Sequence, residues 1–130
     1  MKVDFVGHPV VEGGAAAGDG KAFRQKNGIS ETAKLLGVLP GSRRSETKYL
    51  LPVFRDVVAA LKPKHPDMQI VVPTVATVAR TVRRAVADWS LPVHVVTGEA
   101  NRYDAFAACD AALAASGTVA LELAMAKVPY

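Results

Sequence analysis

The stretch that decides the fold runs Leu35-Leu36-Gly37-Val38-Leu39-Pro40-Gly41-Ser42-Arg43-Arg44-Ser45-Glu46. Its first five residues are apolar or small and show no polar alternation, a pattern typical of a strand buried on both faces. Pro40-Gly41 ends that run. Beyond it, apolar side chains recur at helical spacing in a single stripe: Leu50, Phe54, Val57, Val58 and Leu61. This order of strand, turn and helix predicts the first unit of an α/β fold.

The helix behind the turn contains Pro52, so its start has two interpretations. Either the helix begins near Leu51, with Pro52 in its first turn, or Pro52 kinks a helix that begins at Ser45. Both interpretations keep the apolar stripe on one face.

The order of strand and helix repeats three more times towards the C-terminus. The predicted strands are Met68–Val72, closed by Pro73, then Val93–Val96 and Ala111–Ala115; the predicted helices are Val75 to Trp89, Tyr103–Ala108 and Gly117–Lys127. Val128-Pro129-Tyr130 resembles the start of another strand. Four alternations with short connections predict crossover units, and therefore a Rossmann-like, doubly wound parallel sheet.

The N-terminal segment is less regular. Met1–Val6 is expected to be a short strand that meets the turn Gly7-His8-Pro9, and Glu12–Gly20 is Gly/Ala-rich, as in a flexible loop or linker. A short helix is predicted at Phe23–Asn27, with Gly28 as its stop signal.

Composition excludes several classes of protein. The chain has 130 residues, of which 50% are hydrophobic and 22% charged, and this rules out a disordered tail or a fibre. The single cysteine, Cys109, allows no internal disulfide and is expected to fill the core. No signal peptide is visible. The membrane-like stretch Ala105–Ala126 is interrupted by Asp110 and Glu122, which leaves only a peripheral membrane contact open.

Positive charge is concentrated in one segment. The chain carries 16 Lys plus Arg against 12 Asp plus Glu, and residues 31–66 hold 7 of the former and 3 of the latter. This excess suggests an anionic ligand near Gly41–Arg44, although a solvated helix face would look the same. Nucleic acid is not expected, because aromatics are few and no binding motif is present. No metal is expected either, since His65 and His94 lack partners at metal-ligand spacing.

The first candidate site follows the first strand, because ligands of parallel sheets bind beyond the carboxyl ends of the strands. Gly41 permits a tight turn, and Ser42 offers a hydroxyl next to backbone amides. Arg43 and Arg44 supply forked donors suited to phosphate oxygens. The alternative is a capped helix start, with Ser45 as N-cap and both arginines solvated.

The second candidate site follows the fourth strand. Ser116, Gly117 and Thr118 form a small-residue turn that leads into a helix, whose first amides and dipole favour an anion. Glu122 lies one turn beyond Thr118, on the same face. Its carboxylate suits the two hydroxyls of a ribose and would repel a bare phosphate, which favours a nucleotide or a sugar phosphate. The alternative is a plain N-cap followed by a surface glutamate.

The two sites together carry a family resemblance. The matching segments are Phe5-Val6-Gly7-His8-Pro9, Leu39 to Glu46, Leu51-Pro52-Val53-Phe54, Val72-Pro73-Thr74, Tyr103-Asp104-Ala105-Phe106, and Ala114 to Thr118 with Leu121-Glu122. In this order they resemble the lipid-A-disaccharide synthase family. The resemblance implies one half of a GT-B fold. It also implies an inverting hexosyltransferase that joins UDP-2,3-diacylglucosamine to 2,3-diacylglucosamine 1-phosphate, releasing UDP, in lipid A biosynthesis for lipopolysaccharide.

The resemblance also implies how the chain is divided into domains. Residues 1–30 would be an interdomain strand, turn and linker, and residues 31–130 a UDP-sugar-binding domain truncated at its C-terminal end. Gly41, Ser42, Arg43, Arg44, Ser116, Gly117, Thr118 and Glu122 would bind the donor, and Arg43 would stabilise the leaving group. The lipid acceptor and an aspartate general base would belong to an absent N-terminal domain, so this chain alone is expected to be inactive.

No cofactor is implied, and the expected location is the cytoplasm, with peripheral contact at the inner face of the inner membrane. Two alternatives stay open. One is a UDP-sugar epimerase of the same fold, and the other is a non-catalytic nucleotide-binding module.

Overall fold

The computed structural model describes residues 1–4, 6–115 and 117–130. It contains a four-stranded sheet made of β1 (Leu35–Leu39), β2 (Gln69–Thr74), β3 (Val93–Thr97) and β4 (Ala111–Ala114). The strand order is β3-β2-β1-β4, and every adjacent pair is parallel. The predicted parallel α/β sheet is therefore confirmed.

Helices cover both faces of the sheet. They are α1 (Pro9–Glu12), α2 (Gly20–Lys26), α3 (Arg44–Leu61), α4 (Ala76–Val86), α5 (Glu99–Ala108) and α6 (Thr118–Met125), with a 3₁₀ turn at Ala15–Ala17. On one face, α3 and α4 pack on Val38, Ile70 and Val72. On the other face, α2, α5 and α6 pack on Leu35, Leu39 and Val71. Strands buried on both faces explain why their sequences lack polar alternation.

Pro52 lies inside α3, which begins at Arg44. The structure thus agrees with the longer helix, and its N-cap is Arg43 rather than Ser45. Pro52 is exposed, and lacks the N–H that would bond to the fourth carbonyl before it. The stripe that includes Leu51, Phe54 and Val58 is buried, so packing holds this helix despite the missing bond.

β2, β3 and β4 differ from the expected strands by one or two residues at their ends, and the strand expected at Val128–Tyr130 does not form. Pro73 does not close β2 but lies within it, opposite Val96 of β3. The pairing of β1 with β2 ends at Gly37 and Val71, so Pro73 has no partner residue in β1, and a proline is tolerated there. Val128–Tyr130 is not a strand, although the Pro129 carbonyl accepts a hydrogen bond of 2.8 Å from the Ala112 amide.

The predicted strand at Met1–Val6 is wrong for the described residues, because Met1–Asp4 and Val6 are exposed and irregular. Phe5 lies outside the described residues. The expected loop at Glu12–Gly20 contains the end of α1 and the 3₁₀ turn. The helix expected at Phe23–Asn27 begins earlier, at Gly20, because Asp19 caps it by accepting from the Ala22 amide.

Arg24 fastens α2 to the sheet. Its guanidinium donates to the carbonyls of Ala108, Ser30 and Ala33 at 2.7 to 3.1 Å, and to the Asp110 carboxylate at 3.1 Å. Only 8% of the residue is exposed, so these bonds are shielded from water. The segment from α2 to β1 is consequently part of the packed domain.

Cys109 fills the core as expected, packed between the clusters beneath α5 and α6. Burial raises the pKa of its thiol to about 12. Among the described residues, no helix is both long and apolar enough to cross a bilayer.

Replacing Arg24 with methionine should lower the free energy of unfolding by about 2–4 kcal/mol, because several buried carbonyls and Asp110 lose a charged donor. The matched control is Lys21→Met on the same helix, whose ion pair with Glu31 is exposed; it should change stability by less than about 0.5 kcal/mol. Urea unfolding followed by circular dichroism measures both. Equal stabilities of the two variants would contradict the role of Arg24.

Candidate functional site

The carboxyl ends of β1 and β4 border a cleft of about 450 Å³. From β1 the chain passes outward to β2 and β3 and then returns to the other side of β1 as β4. The connections after β1 and β4 therefore leave the sheet towards opposite faces, which opens a crevice between them. The structure brings together at this cleft Gly41, Ser42, Arg43, Gly117, Thr118 and Glu122. Ser116, also a predicted site residue, lies outside the described residues.

Gly41 allows the tight turn after β1. Its φ is +94°, a left-handed value that favours glycine, and a Cβ at this position would collide with the Glu46 side chain. The requirement is thus both conformational and steric. The close approach brings Glu46 back over the loop that precedes its own helix.

The Glu46 side chain accepts hydrogen bonds from the backbone amides that were expected to face a phosphate. Its Oε2 accepts from the backbone amides of Ser42 at 3.1 Å and Arg43 at 3.2 Å. The Arg43 guanidinium lies 3.7 Å from Oε1 of the same carboxylate. This loop can therefore hold an anionic oxygen, and in this structure the oxygen is the protein's own. The sequence analysis missed this role, although Glu46 stands three residues after the N-cap, as in a capping box.

Arg43 and Arg44 separate in the structure. Arg43 lines the cleft, with 80% of its side chain exposed. Arg44 instead lines a groove between α3 and α4, together with Lys48, Arg55 and Arg84. Most of the basic side chains of residues 31–66 consequently lie outside the cleft. Among the described residues, Arg43 is the one basic side chain of this segment that lines it.

Glu122 is buried, with 8% of the residue exposed, and so is not the surface glutamate of the alternative interpretation. Its Oε1 accepts from Arg102 Nη2 at 2.8 Å and from the Tyr103 hydroxyl at 3.4 Å. Tyr103 also donates to Glu99 at 3.1 Å, and burial raises the pKa of its phenol. The Arg102–Glu122 pair fixes the carboxylate at the wall of the cleft.

Arg102 is a residue that the sequence analysis missed. It lies on α5, twenty positions before Glu122, and no local pattern joins the two. Its guanidinium carbon stands 5.0 Å from the centre of the Tyr103 ring, which adds a cation–π contact. The cleft therefore holds two arginines and two glutamates in two pairs, and its charge is balanced.

The start of α6 differs from the start of α3. Gly117 is its N-cap, with φ +132°, and no described side chain accepts a hydrogen bond from its first turn. Thr118, the first helical residue, is exposed at the cleft. These amides and the helix dipole can serve an anionic ligand without displacing any side chain that the structure describes.

Two of the three histidines make structural hydrogen bonds. His8 Nδ1 accepts from the Val10 amide at 3.2 Å and caps α1. His94 is hydrogen-bonded to Gln69 at 2.7 Å, and burial lowers its pKa. Within the described residues, no group of three or more His, Cys, Asp or Glu could hold a metal ion.

Comparison with protein families gives one family for the whole chain. The family model described as lipid-A-disaccharide synthetase matches residues 1–130. Lipid-A-disaccharide synthase of Rhodospirillum centenum is 60% identical over 125 residues, which are 96% of this chain and 31% of that protein. The enzyme of Paramagnetospirillum magneticum is 60% identical over 129 residues, 99% of this chain and 33% of that protein. The chain thus spans about a third of these relatives.

Two solved structures share the fold. A family 9 glycosyltransferase from Veillonella parvula superposes with a TM-score of 0.68 at 15% identity, covering 99% of this chain and 35% of that one. ADP-heptose heptosyltransferase II of Escherichia coli superposes with a TM-score of 0.62 at 14% identity, covering 99% of this chain and 37% of that one. The fold is accordingly that of one half of a GT-B glycosyltransferase.

Replacing Glu46 with alanine should lower the free energy of unfolding by about 1 kcal/mol, because the Ser42 and Arg43 amides lose their acceptor. Glu46→Gln should lose less, since its amide oxygen still accepts. Glu31→Ala, which removes an exposed carboxylate, is the control and should lie within about 0.5 kcal/mol of wild type. Chemical unfolding measures the free energy of unfolding of each variant. If Glu46→Ala were as stable as wild type, this cap would contribute nothing to stability.

Proposed function

Because the chain belongs to the lipid-A-disaccharide synthetase family, we propose that it is the donor-binding half of such an enzyme. Its substrate would be UDP-2,3-diacylglucosamine, whose diacylglucosaminyl group would be transferred to a hydroxyl of 2,3-diacylglucosamine 1-phosphate, with inversion at the anomeric carbon and release of UDP. The observation that carries the proposal is that one cleft is lined by the Gly41–Arg43 loop, the start of α6 and the Glu122 carboxylate, which Arg102 holds in place. Residues 31–130, together with α2, which packs into their core, would form the donor domain, and the residues before α2 would lead into it from another domain.

The diphosphate would lie between the two chain segments. The first-turn amides of α6 and Thr118 would bind it from one side, and the Gly41–Arg43 loop from the other. Arg43 would stabilise the negative charge that builds on the departing UDP. Phosphate contact with the Ser42 and Arg43 amides requires the Glu46 carboxylate to give them up. Arg44 lines the groove between α3 and α4 and would make no contact with the diphosphate.

Glu122 would bind the ribose. All its contacts with described residues go to Oε1, so Oε2 is available to accept a hydroxyl. Arg102 neutralises the carboxylate and thereby reduces its repulsion of the neighbouring diphosphate. A buried, oriented acceptor discriminates between ligands with and without hydroxyls better than a mobile one would.

The remaining parts of the reaction would lie outside this chain. The lipid acceptor and the general base would come from another domain, so the 130 residues alone should form no disaccharide. We also propose a cytoplasmic reaction with peripheral contact at the inner membrane, where lipid substrates are available.

The direct test is calorimetric titration of the chain with UDP, UMP and UDP-2,3-diacylglucosamine. Binding of UDP is the expected result. A chain that is folded by circular dichroism and binds none of these ligands would contradict the proposal.

Arg43→Ala should weaken UDP binding about fivefold, or about 1 kcal/mol, a modest loss because the side chain is largely exposed. The loss should grow from UMP to UDP and shrink with added salt. Arg44→Ala removes the same charge one residue away, in the other groove, and should bind UDP like wild type. Equal losses in the two variants would indicate a general charge effect rather than a contact.

Glu122→Gln should weaken binding of UMP and UDP by similar factors and leave a 2′,3′-dideoxy nucleotide nearly unaffected, since that ligand offers no hydroxyls. Glu99→Gln alters the same Tyr103 network outside the cleft and serves as the control. Titration of both variants with the ribo and dideoxy ligands is the measurement. If Glu122→Gln lost the same affinity for the ribo and the dideoxy ligands, Glu122 would not bind the ribose hydroxyls.

A further inference from the structure

Two buried side-chain polar atoms in the described part of the chain have no hydrogen-bond partner. They are the Thr74 hydroxyl oxygen and Arg102 Nε. Both residues line the cleft at the carboxyl ends of the strands. Buried polar groups in folded proteins are nearly always paired, so two orphaned groups around one cleft call for an explanation. Both atoms can donate, so a single ligand rich in acceptors would suit both of them.

Thr74 is the more informative of the two. Only 6% of it is exposed, and it is the last residue of β2. It follows Ile70 and Val72 in the alternation of the strand, so it continues the face that packs against α3 and α4. A valine would fit this apolar row as well as threonine does, without a hydroxyl to satisfy. Packing alone therefore does not account for the hydroxyl.

The neighbourhood of Thr74 favours a phosphate as the partner. β2 lies directly beside β1, and the Gly41–Arg43 loop begins where β1 ends. The cleft's two arginines are each paired with a glutamate. An anionic ligand in this balanced cleft therefore needs neutral donors besides the arginines, and a threonine hydroxyl is one.

We propose that the Thr74 hydroxyl is a further ligand of the donor's diphosphate and donates a hydrogen bond to one of its oxygens. This inference rests on the proposed function, because it takes the cleft to be the nucleotide site. A threonine hydroxyl changes direction by rotation about the Cα–Cβ bond between staggered positions, so pairing with a ligand does not require the strand to move.

The test separates binding from stability. Thr74→Val keeps the shape and removes only the hydroxyl, so the ligand-free variant should unfold at the same temperature as wild type or higher. Its affinity for UDP should nevertheless fall about tenfold. Thr74→Ser keeps a hydroxyl and should retain most of the affinity. The matched control is Thr97→Val, at the paired position of β3 but away from the cleft; it should bind UDP normally.

The outcomes distinguish this inference from the proposed function. Folded wild type that binds no UDP overturns both. If wild type binds UDP and Thr74→Val binds it with the same affinity, only the role of Thr74 is overturned. A Thr74→Val variant that unfolds at lower temperature while keeping its affinity shows a structural hydroxyl and overturns it too. Titration with uridine, which has no phosphate, completes the test: an equal loss for uridine contradicts the phosphate contact.

Discussion

The central position of β1 is the constraint on which the rest of the structure depends. β1 pairs with β2 on one side and with β4 on the other, and it is covered by helices on both faces. Chain segments that leave β1 and β4 must therefore diverge, and the cleft opens between them. Gly41 makes this geometry attainable, because its left-handed turn starts α3 immediately after the strand. Apart from Thr74, at the end of β2, the candidate ligand contacts lie on that turn or on α6, which begins after Gly117.

Electrostatic pairing explains why the cleft is not simply basic. Glu46 satisfies the loop amides beside Arg43, and Glu122 is held by Arg102. Each pair keeps its partners oriented, and each carries an acidic group that an anionic ligand must tolerate or displace. Most of the positive charge of residues 31–66 lies elsewhere, much of it along the groove between α3 and α4. Charge counted along the sequence therefore does not show how the basic side chains divide between the cleft and that groove.

The N-terminal segment shows how a weakly patterned sequence joins a well-packed domain. Phe23 and Ile29 enter the core beneath α5, and Arg24 pairs with carbonyls from three places in the chain. Close backbone approach completes this docking, because a Cβ on Gly20 would collide with the backbone of α5. The Gly/Ala-rich composition that suggests a linker is here also a consequence of tight packing.

The sequence by itself determined the four strands, their helices and the two chain segments at the site, because apolar periodicity and turn residues are local and each element carries its own signal. It failed at the described residues of Met1–Val6, which are irregular, because strand formation depends on pairing that a local pattern does not supply. Only the tertiary structure could separate Arg43 from Arg44, since their directions depend on where α3 begins. Only the tertiary structure could reveal Arg102 beside Glu122 and the orphaned hydroxyl of Thr74. Such contacts join residues far apart in the chain, and the crossing of strands and helices, rather than any local pattern, decides which of them meet.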